Sequence, residues 1–346
     1  MGDIRDDFIS ANHLCCGDHL CSVSIYPCHR NYDDRERFYR GDRPQRIAMN
    51  YRRLIRANLD ISEISFGCMS LGLKHAENQA LIQCAFDAGI NYFDTADVYK
   101  NGFNEESVGR ALKPIRQQVI LATKVGNVPN EEGRNWEWNP SKNYILKAAE
   151  KSLKRLGTDY IDIYQLHGGM IEDDWEETIE AFEILKGKGM IRHYGISSIR
   201  PNVIRRFASQ TGIVSNMIQY SLLDRRPEEA ALAVLSDEKV GVMVRGCLAG
   251  GLLAGKDLSD YLGYSIEDID ILLGKMNSFS IEKMSLAQAA VKWVLSNNSI
   301  TTAVVGIRNL EQLKDALGAV EAPELSVEVV RELSDLLKPN LYAKHR

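Results

Sequence analysis

The chain has 346 residues, a length that suits either two ordinary domains or one barrel with extensions. Charged residues make up 26% and the formal net charge is -5, so no basic surplus is available to bind nucleic acid or an anionic membrane. No apolar run reaches the roughly 18 residues needed to cross a bilayer, and the acidic start, with Asp3, Asp6 and Asp7, is unlike a secretory signal. We therefore expect a cytoplasmic protein that binds neither nucleic acid nor membranes.

Residues 1–48 differ in character from the rest of the chain, because no apolar period of two or about 3.6 persists there. This segment holds four of the seven cysteines, interleaved with histidines: Cys15, Cys16, Cys21 and Cys28, with His13, His19 and His29. A zinc site is the alternative interpretation, but the spacing lacks paired C-x2-C knuckles. We interpret residues 1–48 as a disordered extension and expect no bound metal. The odd number of cysteines fits a reducing cytosol better than a disulfide framework.

From Met49 onward, short apolar runs alternate with helical patterns. Tyr51-Arg-Arg-Leu-Ile55 and Asn58-Leu-Asp-Ile-Ser62 predict a hairpin. Eight strand candidates follow: Ile64–Phe66, Tyr92–Asp94, Val119–Thr123, Ile161–Leu166, His193–Ser197, Met217–Tyr220, Val240–Val244 and Thr301–Val305. Eight βα units predict an α/β fold. We expect a (β/α)8 TIM barrel over residues 49–346, preceded by a short N-terminal hairpin and completed by a C-terminal helix.

The turn after the first barrel strand helps to distinguish a barrel from an open doubly wound sheet, which shows the same alternation of strands and helices. It reads Phe66-Gly-Cys-Met-Ser-Leu-Gly72, which has two glycines and lacks the G-x-G-x-x-G spacing of a dinucleotide-binding turn. The sequence therefore disfavours a Rossmann domain. Helix starts are predicted at polar caps, namely Asp173 or Asp174, Ser285 and Asn309.

Four reactive side chains follow three consecutive predicted strands. Asp94 and Tyr99 follow the second barrel strand, Lys124 follows the third and His167 follows the fourth. Barrel enzymes carry their active sites at the carboxyl ends of the strands, so these side chains are expected to converge. Each residue alone is more simply explained as structural, whereas the four together indicate an enzyme.

These side chains can deliver a proton to a carbonyl oxygen. A tyrosine hydroxyl has a pKa of about 10, and a neighbouring ammonium lowers such a value by about one to three units. Lys124 can play this part for Tyr99, while Asp94 keeps the ammonium charged and His167 binds the substrate oxygen or passes on a proton. Because no side chain donates hydride, the constellation implies a bound nicotinamide.

The chain from about Met49 to Pro339 resembles the aldo-keto reductases. The resemblance is carried by Asp94-Thr-Ala-Asp-Val-Tyr99, by Ala122-Thr-Lys124 and by Tyr164-Gln-Leu-His167. It implies a catalytic tetrad of Asp94, Tyr99, Lys124 and His167. It further implies NADP(H)-dependent reduction of aldehydes or ketones, with Tyr99 as general acid.

The resemblance also indicates where the cofactor binds. Two positions depart from the family pattern: Ser198 stands in place of the usual asparagine, and Arg245 in place of a tyrosine that often stacks on the nicotinamide. Arg308 is the candidate for the adenosine 2′-phosphate and hence for NADP(H), although Asp315-Ala316 replaces the usual acid–asparagine pair and leaves NAD(H) open. The implied cofactor residues are Gly67, Met69, Ser197, Ser198, Gln219, Arg245, Gly246, Cys247, Leu248, Gly306, Arg308 and Gln312.

Substrate choice is expected to reside in the loops. Leu73, Trp136, Trp138 and Met170 are the predicted walls of an apolar substrate pocket, with Tyr261 or Tyr264 as further candidates. Packing beneath a long loop is the alternative interpretation of the two tryptophans. The expected partner is a small carbonyl compound, and the protein is expected to be a monomer or a weak homo-oligomer. Two other functions remain open: a nicotinamide-binding regulatory subunit like the potassium-channel β subunits, and a barrel isomerase that uses no nicotinamide.

Overall fold

The computed structural model describes residues 47–129, 136–280 and 284–345. The predicted extension and its cysteine and histidine cluster lie outside these residues, apart from Ile47 and Ala48. Both interpretations of that segment therefore stay predictions.

The predicted hairpin is present as strands β1 (Tyr51–Leu54) and β2 (Leu59–Ser62), which pair antiparallel. Asn58 takes the left-handed conformation, with φ 58°, at the end of the connecting turn. Leu54 and Ile61 are fully buried in an apolar cluster with residues at the start of several barrel strands. Gly241, the first residue of one of those strands, lies so close that an added Cβ would meet Leu54 Cδ1 at 2.1 Å. The hairpin thus closes the amino-terminal end of the barrel.

The prediction of a (β/α)8 barrel is confirmed, since eight parallel strands form one closed barrel in the order β10-β11-β12-β3-β4-β5-β8-β9. Each of the eight candidate strands matches to within about two residues at either end. The remaining strands, β6 and β7, form a small antiparallel hairpin that the sequence patterns did not predict. The bounds are β3 (Ile64–Gly67), β4 (Tyr92–Asp94), β5 (Ile120–Val125), β6 (Asn127–Pro129), β7 (Trp136–Trp138), β8 (Ile161–Leu166), β9 (Ile191–Ile196), β10 (Ser215–Gln219), β11 (Gly241–Arg245) and β12 (Ile300–Gly306).

Helices surround the barrel. Three of them begin at predicted caps, where Asp174, Ser285 and Asn309 each accept a hydrogen bond from the backbone N–H three residues later. Ser285 forms a full capping box with Gln288. In the described part of the chain the helices are α1 (His75–Asp87), α2 (Phe103–Leu112), α3 (Lys142–Leu156), α4 (Trp175–Gly187), α5 (Pro201–Gln210), α6 (Ala231–Asp237), α7 (Ile266–Ser280), α8 (Leu286–Leu295), α9 (Leu310–Glu321) and α10 (Val327–Leu336). None of these described helices has the length and apolar character required to traverse a bilayer.

Candidate active site

The carboxyl ends of β4, β5 and β8 bring the four reactive side chains together. Asp94 is the last residue of β4 and pairs in register with Ala122 of β5. Lys124 lies two residues beyond Ala122 on the same strand. Tyr99 begins a short 3-10 turn after β4, and His167 directly follows β8. Because neighbouring parallel strands keep the same direction, residues at corresponding positions emerge at the same rim.

Asp94 and Lys124 form a buried ion pair at this rim. The Lys124 side chain is 1% exposed, and its ammonium donates to Asp94 Oδ1 and, at 2.7 Å, to the carbonyl oxygen of Thr95. Gln165 Nε2 donates to the other carboxylate oxygen at 3.2 Å. Burial acts to lower the pKa of Lys124, but the Asp94 carboxylate and Tyr99 outweigh it and the pKa rises. Lys124 is therefore a fixed cation beneath the site.

Tyr99 lies close to both this cation and His167. Lys124 Nζ is 5.2 Å from the centroid of the Tyr99 ring, and the His167 ring meets it edge-on with centroids 6.1 Å apart. Burial raises the pKa of Tyr99 above its usual value, and this exceeds the lowering by the charge and hydrogen bond of Lys124. The expectation that Lys124 lowers the pKa of Tyr99 below its usual value is therefore wrong. Desolvation of the phenolate is the larger effect, so Tyr99 carries its proton at neutral pH.

His167 is neutral in this environment. Burial, followed by the charges of Lys124 and Arg245, lowers its pKa to about 3. Its Nδ1 is buried and has no hydrogen-bond partner among the described residues. A neutral imidazole can donate one hydrogen bond to a substrate oxygen, but its low pKa makes it a poor proton reservoir at neutral pH.

One cavity of about 610 Å³ joins these four residues to six of the twelve implied cofactor residues. Of the sequence candidates, the cavity lining contains Asp94, Tyr99, Lys124, His167, Met69, Ser197, Ser198, Gln219, Arg245, Gly246 and Tyr261. Its volume falls within the roughly 300 to 1,000 Å³ typical of small-molecule sites.

Ser197 and Ser198 follow β9 and are held by a buried asparagine behind them. Asn216 on β10 accepts from the Ser198 backbone N–H at 3.2 Å and donates to the Ser198 carbonyl oxygen at 3.3 Å. The Ser198 hydroxyl accepts from the backbone N–H of Arg200 at 3.3 Å. Ser198, which is shorter than the asparagine usual at this position, is therefore fixed by its neighbours, and its O–H remains available as a donor.

Arg245, Gln219 and Tyr261 form a hydrogen-bonded row across the cavity. Arg245 Nη1 donates to Gln219 Oε1 at 2.6 Å, and Gln219 Nε2 donates to the Tyr261 hydroxyl at 3.0 Å. Gly246 next to Arg245 has φ 70°, and an added Cβ there would meet Gln219 Cγ at 3.0 Å. The row thus fixes the Arg245 guanidinium beside Gln219, another of the implied cofactor residues.

The other implied cofactor residues, including the phosphate candidate Arg308, lie outside the cavity wall. Arg308 is exposed just before α9, and its backbone N–H donates to Gln312 Oε1 at 3.1 Å. Gly306 pairs in register with Gly67 where β12 meets β3. Cys247 is buried, with a pKa that burial raises to about 12, and Leu248 is half-buried beside it.

The four predicted substrate residues do not line the cavity. Leu73, Trp136 and Met170 are exposed on loops. Trp138 packs beneath its loop, because its ring lies against Gly126 and Gly168 and its indole N–H donates to the Asp173 carboxylate at 2.9 Å. Tyr264 is buried, and its hydroxyl donates to the carbonyl oxygen of Lys338 at 2.9 Å, which ties it to the C-terminal segment.

Other residues supply part of the wall, and the sequence analysis did not select them. Asn127, two residues beyond β5, donates to the His167 carbonyl oxygen at 3.1 Å, and Arg200 follows β9. Both lie just past a strand end, the same signal that identified Lys124 and His167. The further lining residues are Gly168, Ile199, Met217, Gly250 and Val304.

The residues on this wall suit a nicotinamide. Its flat ring carries an amide that needs both donors and acceptors, and Ser197, Ser198 and Gln219 offer both from adjacent strands. The buried, unpartnered Nδ1 of His167 further indicates a site that is completed by a ligand.

Comparison with known proteins identifies related oxidoreductases. The model of the aldo/keto reductase family matches residues 63–338. An uncharacterized oxidoreductase of Bacillus subtilis, YqkF, is 44% identical over 307 residues, which cover 86% of this chain and 100% of that protein. A probable voltage-gated potassium channel subunit beta of rice is 29% identical over 84% of this chain and 97% of its own length.

A solved structure supports the same relationship. The aldo-keto reductase AKR11C1 from Bacillus halodurans, in its holo form, superposes with a TM-score of 0.81 at 45% sequence identity. The match covers 86% of this chain and 99% of that chain. The family match over most of the chain and the closed barrel agree with the resemblance read from the motifs. The chain belongs to the aldo/keto reductase family of oxidoreductases.

Proposed function

We propose that the protein reduces aldehydes or ketones to alcohols with NADPH, and that Tyr99 is the general acid. One observation carries the proposal: the Asp94–Lys124 ion pair, Tyr99 and His167 line a single cavity together with Ser197, Ser198 and Gln219. The residues proposed to deliver the proton and those proposed to bind the nicotinamide thus line the same cavity.

The hydride for the carbonyl carbon would come from a reduced nicotinamide, which Ser197, Ser198 and Gln219 would hold. Tyr99, protonated because of its burial, donates its proton to the carbonyl oxygen. Lys124 stabilises the resulting phenolate, and Asp94 holds that ammonium in place. Neutral His167 orients the substrate oxygen through a hydrogen bond.

The proposed cofactor preference rests on the corner between β12 and α9. Arg308 is exposed there, immediately before the N-cap Asn309 of a 12-residue helix. A guanidinium beside a helix amino terminus favours a phosphate, which NADP(H) has at the adenosine ribose and NAD(H) lacks. We expect NADPH to bind more tightly than NADH, and Arg308→Met to remove most of this difference in Kd.

The decisive assay combines the full-length protein with NADPH and 4-nitrobenzaldehyde and follows the loss of reduced-nicotinamide absorbance. Wild type should turn over, and Tyr99→Phe should retain NADPH affinity while kcat falls by about 10² to 10⁴. Fluorescence titration of NADPH provides the control for cofactor binding.

The other outcomes identify the alternatives. NADPH binding without turnover across a panel of aldehydes and ketones would favour a regulatory subunit, the role suggested by the name of the rice relative. If the protein bound no nicotinamide at all, the non-redox isomerase would be favoured instead.

A further inference from the structure

The cavity wall carries more positive than negative side chains. Four charged side chains line it: Asp94, Lys124, Arg200 and Arg245. Asp94 and Lys124 neutralise each other in their ion pair. Within residues 47–129, 136–280 and 284–345, neither Arg200 nor Arg245 forms an ion pair with a carboxylate. Two guanidinium groups on this cavity, the half-buried one of Arg200 and the exposed one of Arg245, therefore have no carboxylate partner there.

The two arginines are placed for different tasks. Arg245 ends β11 and is hydrogen-bonded to Gln219, the predicted contact of the nicotinamide amide. Arg200 lies two strands away in the barrel order, just past β9, on the side of the cavity that carries His167. Arg200 therefore lies two residues after the cofactor candidate Ser198, on the His167 side of the cavity where the substrate carbonyl is proposed to bind.

The contacts of Arg200 leave much of its guanidinium available. Its Nη1 donates to the carbonyl oxygen of Gly169, two residues beyond His167, and its backbone N–H is held by the Ser198 hydroxyl. The side chain is half-buried at the N-cap of α5. A guanidinium carries five N–H donors, so most remain free for a ligand, and a planar carboxylate can accept two at once.

We propose that Arg200 binds a carboxylate on the substrate, so that the preferred substrates are aldehydes or ketones that carry a carboxylate group. This inference rests on the proposed reductase function. A single partly enclosed guanidinium matches one negative charge, and the reacting carbonyl at Tyr99 and His167 would place the acid group toward the Gly169 loop.

The test compares 2-, 3- and 4-carboxybenzaldehyde with the corresponding neutral methylbenzaldehydes, using NADPH and the full-length protein. We expect at least one carboxylated isomer to have a kcat/KM about tenfold or more above that of its neutral partner. Arg200→Met should abolish that preference mainly through KM, with a larger loss for the carboxylated isomer than for its neutral partner. The preference should also weaken as salt concentration rises.

Arg206 provides a matched control. It lies on α5 and its Nη1 donates to the carbonyl oxygen of Ile171 at 3.1 Å, so it holds the same loop without lining the cavity. Arg206→Met should keep the charge preference. Equal losses for charged and neutral aldehydes in Arg200→Met, or a preference lost equally in Arg206→Met, would show that Arg200 only holds the loop.

The two proposals fail in different ways. Turnover of neutral aldehydes with no preference for any carboxylated isomer would overturn the role of Arg200 and leave the reductase intact. Absence of turnover for every aldehyde, charged or neutral, would overturn the reductase function itself.

Discussion

The two ends of the barrel differ in what they bury. At the amino-terminal end, Leu54 and Ile61 fill the barrel mouth, and Arg52 donates to the carbonyl oxygens of Leu295 and Ile300 at 2.8 Å. At the carboxyl-terminal end, an ion pair and a neutral histidine surround an open cavity. The first end stabilises the fold by apolar burial, whereas the second keeps polar groups desolvated for chemistry.

The largest expected effect comes from breaking the buried ion pair. Lys124→Met leaves the Asp94 carboxylate without its cation, and we expect the free energy of unfolding to fall by about 3 to 5 kcal/mol. Urea denaturation measures this, and the reductase activity should be lost as well. The double variant Lys124→Met with Asp94→Asn should recover much of the stability but none of the activity; recovery of activity would refute the role of Lys124.

A change at the opposite end should affect stability alone. Leu54→Ala removes a fully buried side chain from the apolar cluster and should reduce the free energy of unfolding by about 2 to 5 kcal/mol. Below the melting transition, kcat should stay near the wild-type value. A marked decrease of kcat in this fully folded variant would contradict the separation of the two ends.

Acidification should destabilise the protein through His167. The unfolded imidazole binds a proton below about pH 6.5, whereas the folded one, with a pKa of about 3, does not. Because the unfolded state then holds more protons, lowering the pH through this window favours unfolding, by up to about 1.4 kcal/mol per pH unit.

Urea unfolding at several pH values checks this effect. His167→Gln should flatten the dependence between about pH 6.5 and pH 4.5. Tyr99→Phe serves as the control and should keep the wild-type slope, since the phenol does not titrate there. An unchanged slope in His167→Gln would mean that the imidazole is not held neutral.

The smallest expected effect concerns the charge beside the predicted amide contact. The oxidised nicotinamide ring is positively charged and the reduced ring is neutral, so Arg245 should favour the reduced form. Arg245→Met should raise the affinity for NADP+ relative to NADPH by about fivefold, or about 1 kcal/mol. Fluorescence and calorimetric titrations give both Kd values. Arg308→Met should weaken both forms alike; an unchanged ratio in Arg245→Met would contradict the prediction.

Much of the fold could be predicted because it depends on local patterns. All eight barrel strands follow from short apolar runs, and Ser285 and Asn309 were recognisable as helix caps from residue type and position alone. The hairpin of β6 and β7 was missed, since its three-residue strands carry no alternation long enough to detect.

The site was predictable only in part. Asp94, Lys124 and His167 could be chosen because a strand end fixes the rim at which a side chain emerges. Trp138 looked equally suited to a substrate wall and to packing, and its contact with Asp173, 35 residues away, decided for packing. Arg200 gave no stronger signal than any other arginine after a strand.

The sequence by itself determined the alternation of strands and helices, the closing hairpin and the set of reactive residues at one rim, because these depend on residue type and spacing along the chain. Only the tertiary structure decided that burial outweighs Lys124 at Tyr99, that His167 is neutral and that Arg200 reaches the cavity. Desolvation and charge interactions sum over neighbours from distant parts of the chain, so they exist only once the barrel has closed.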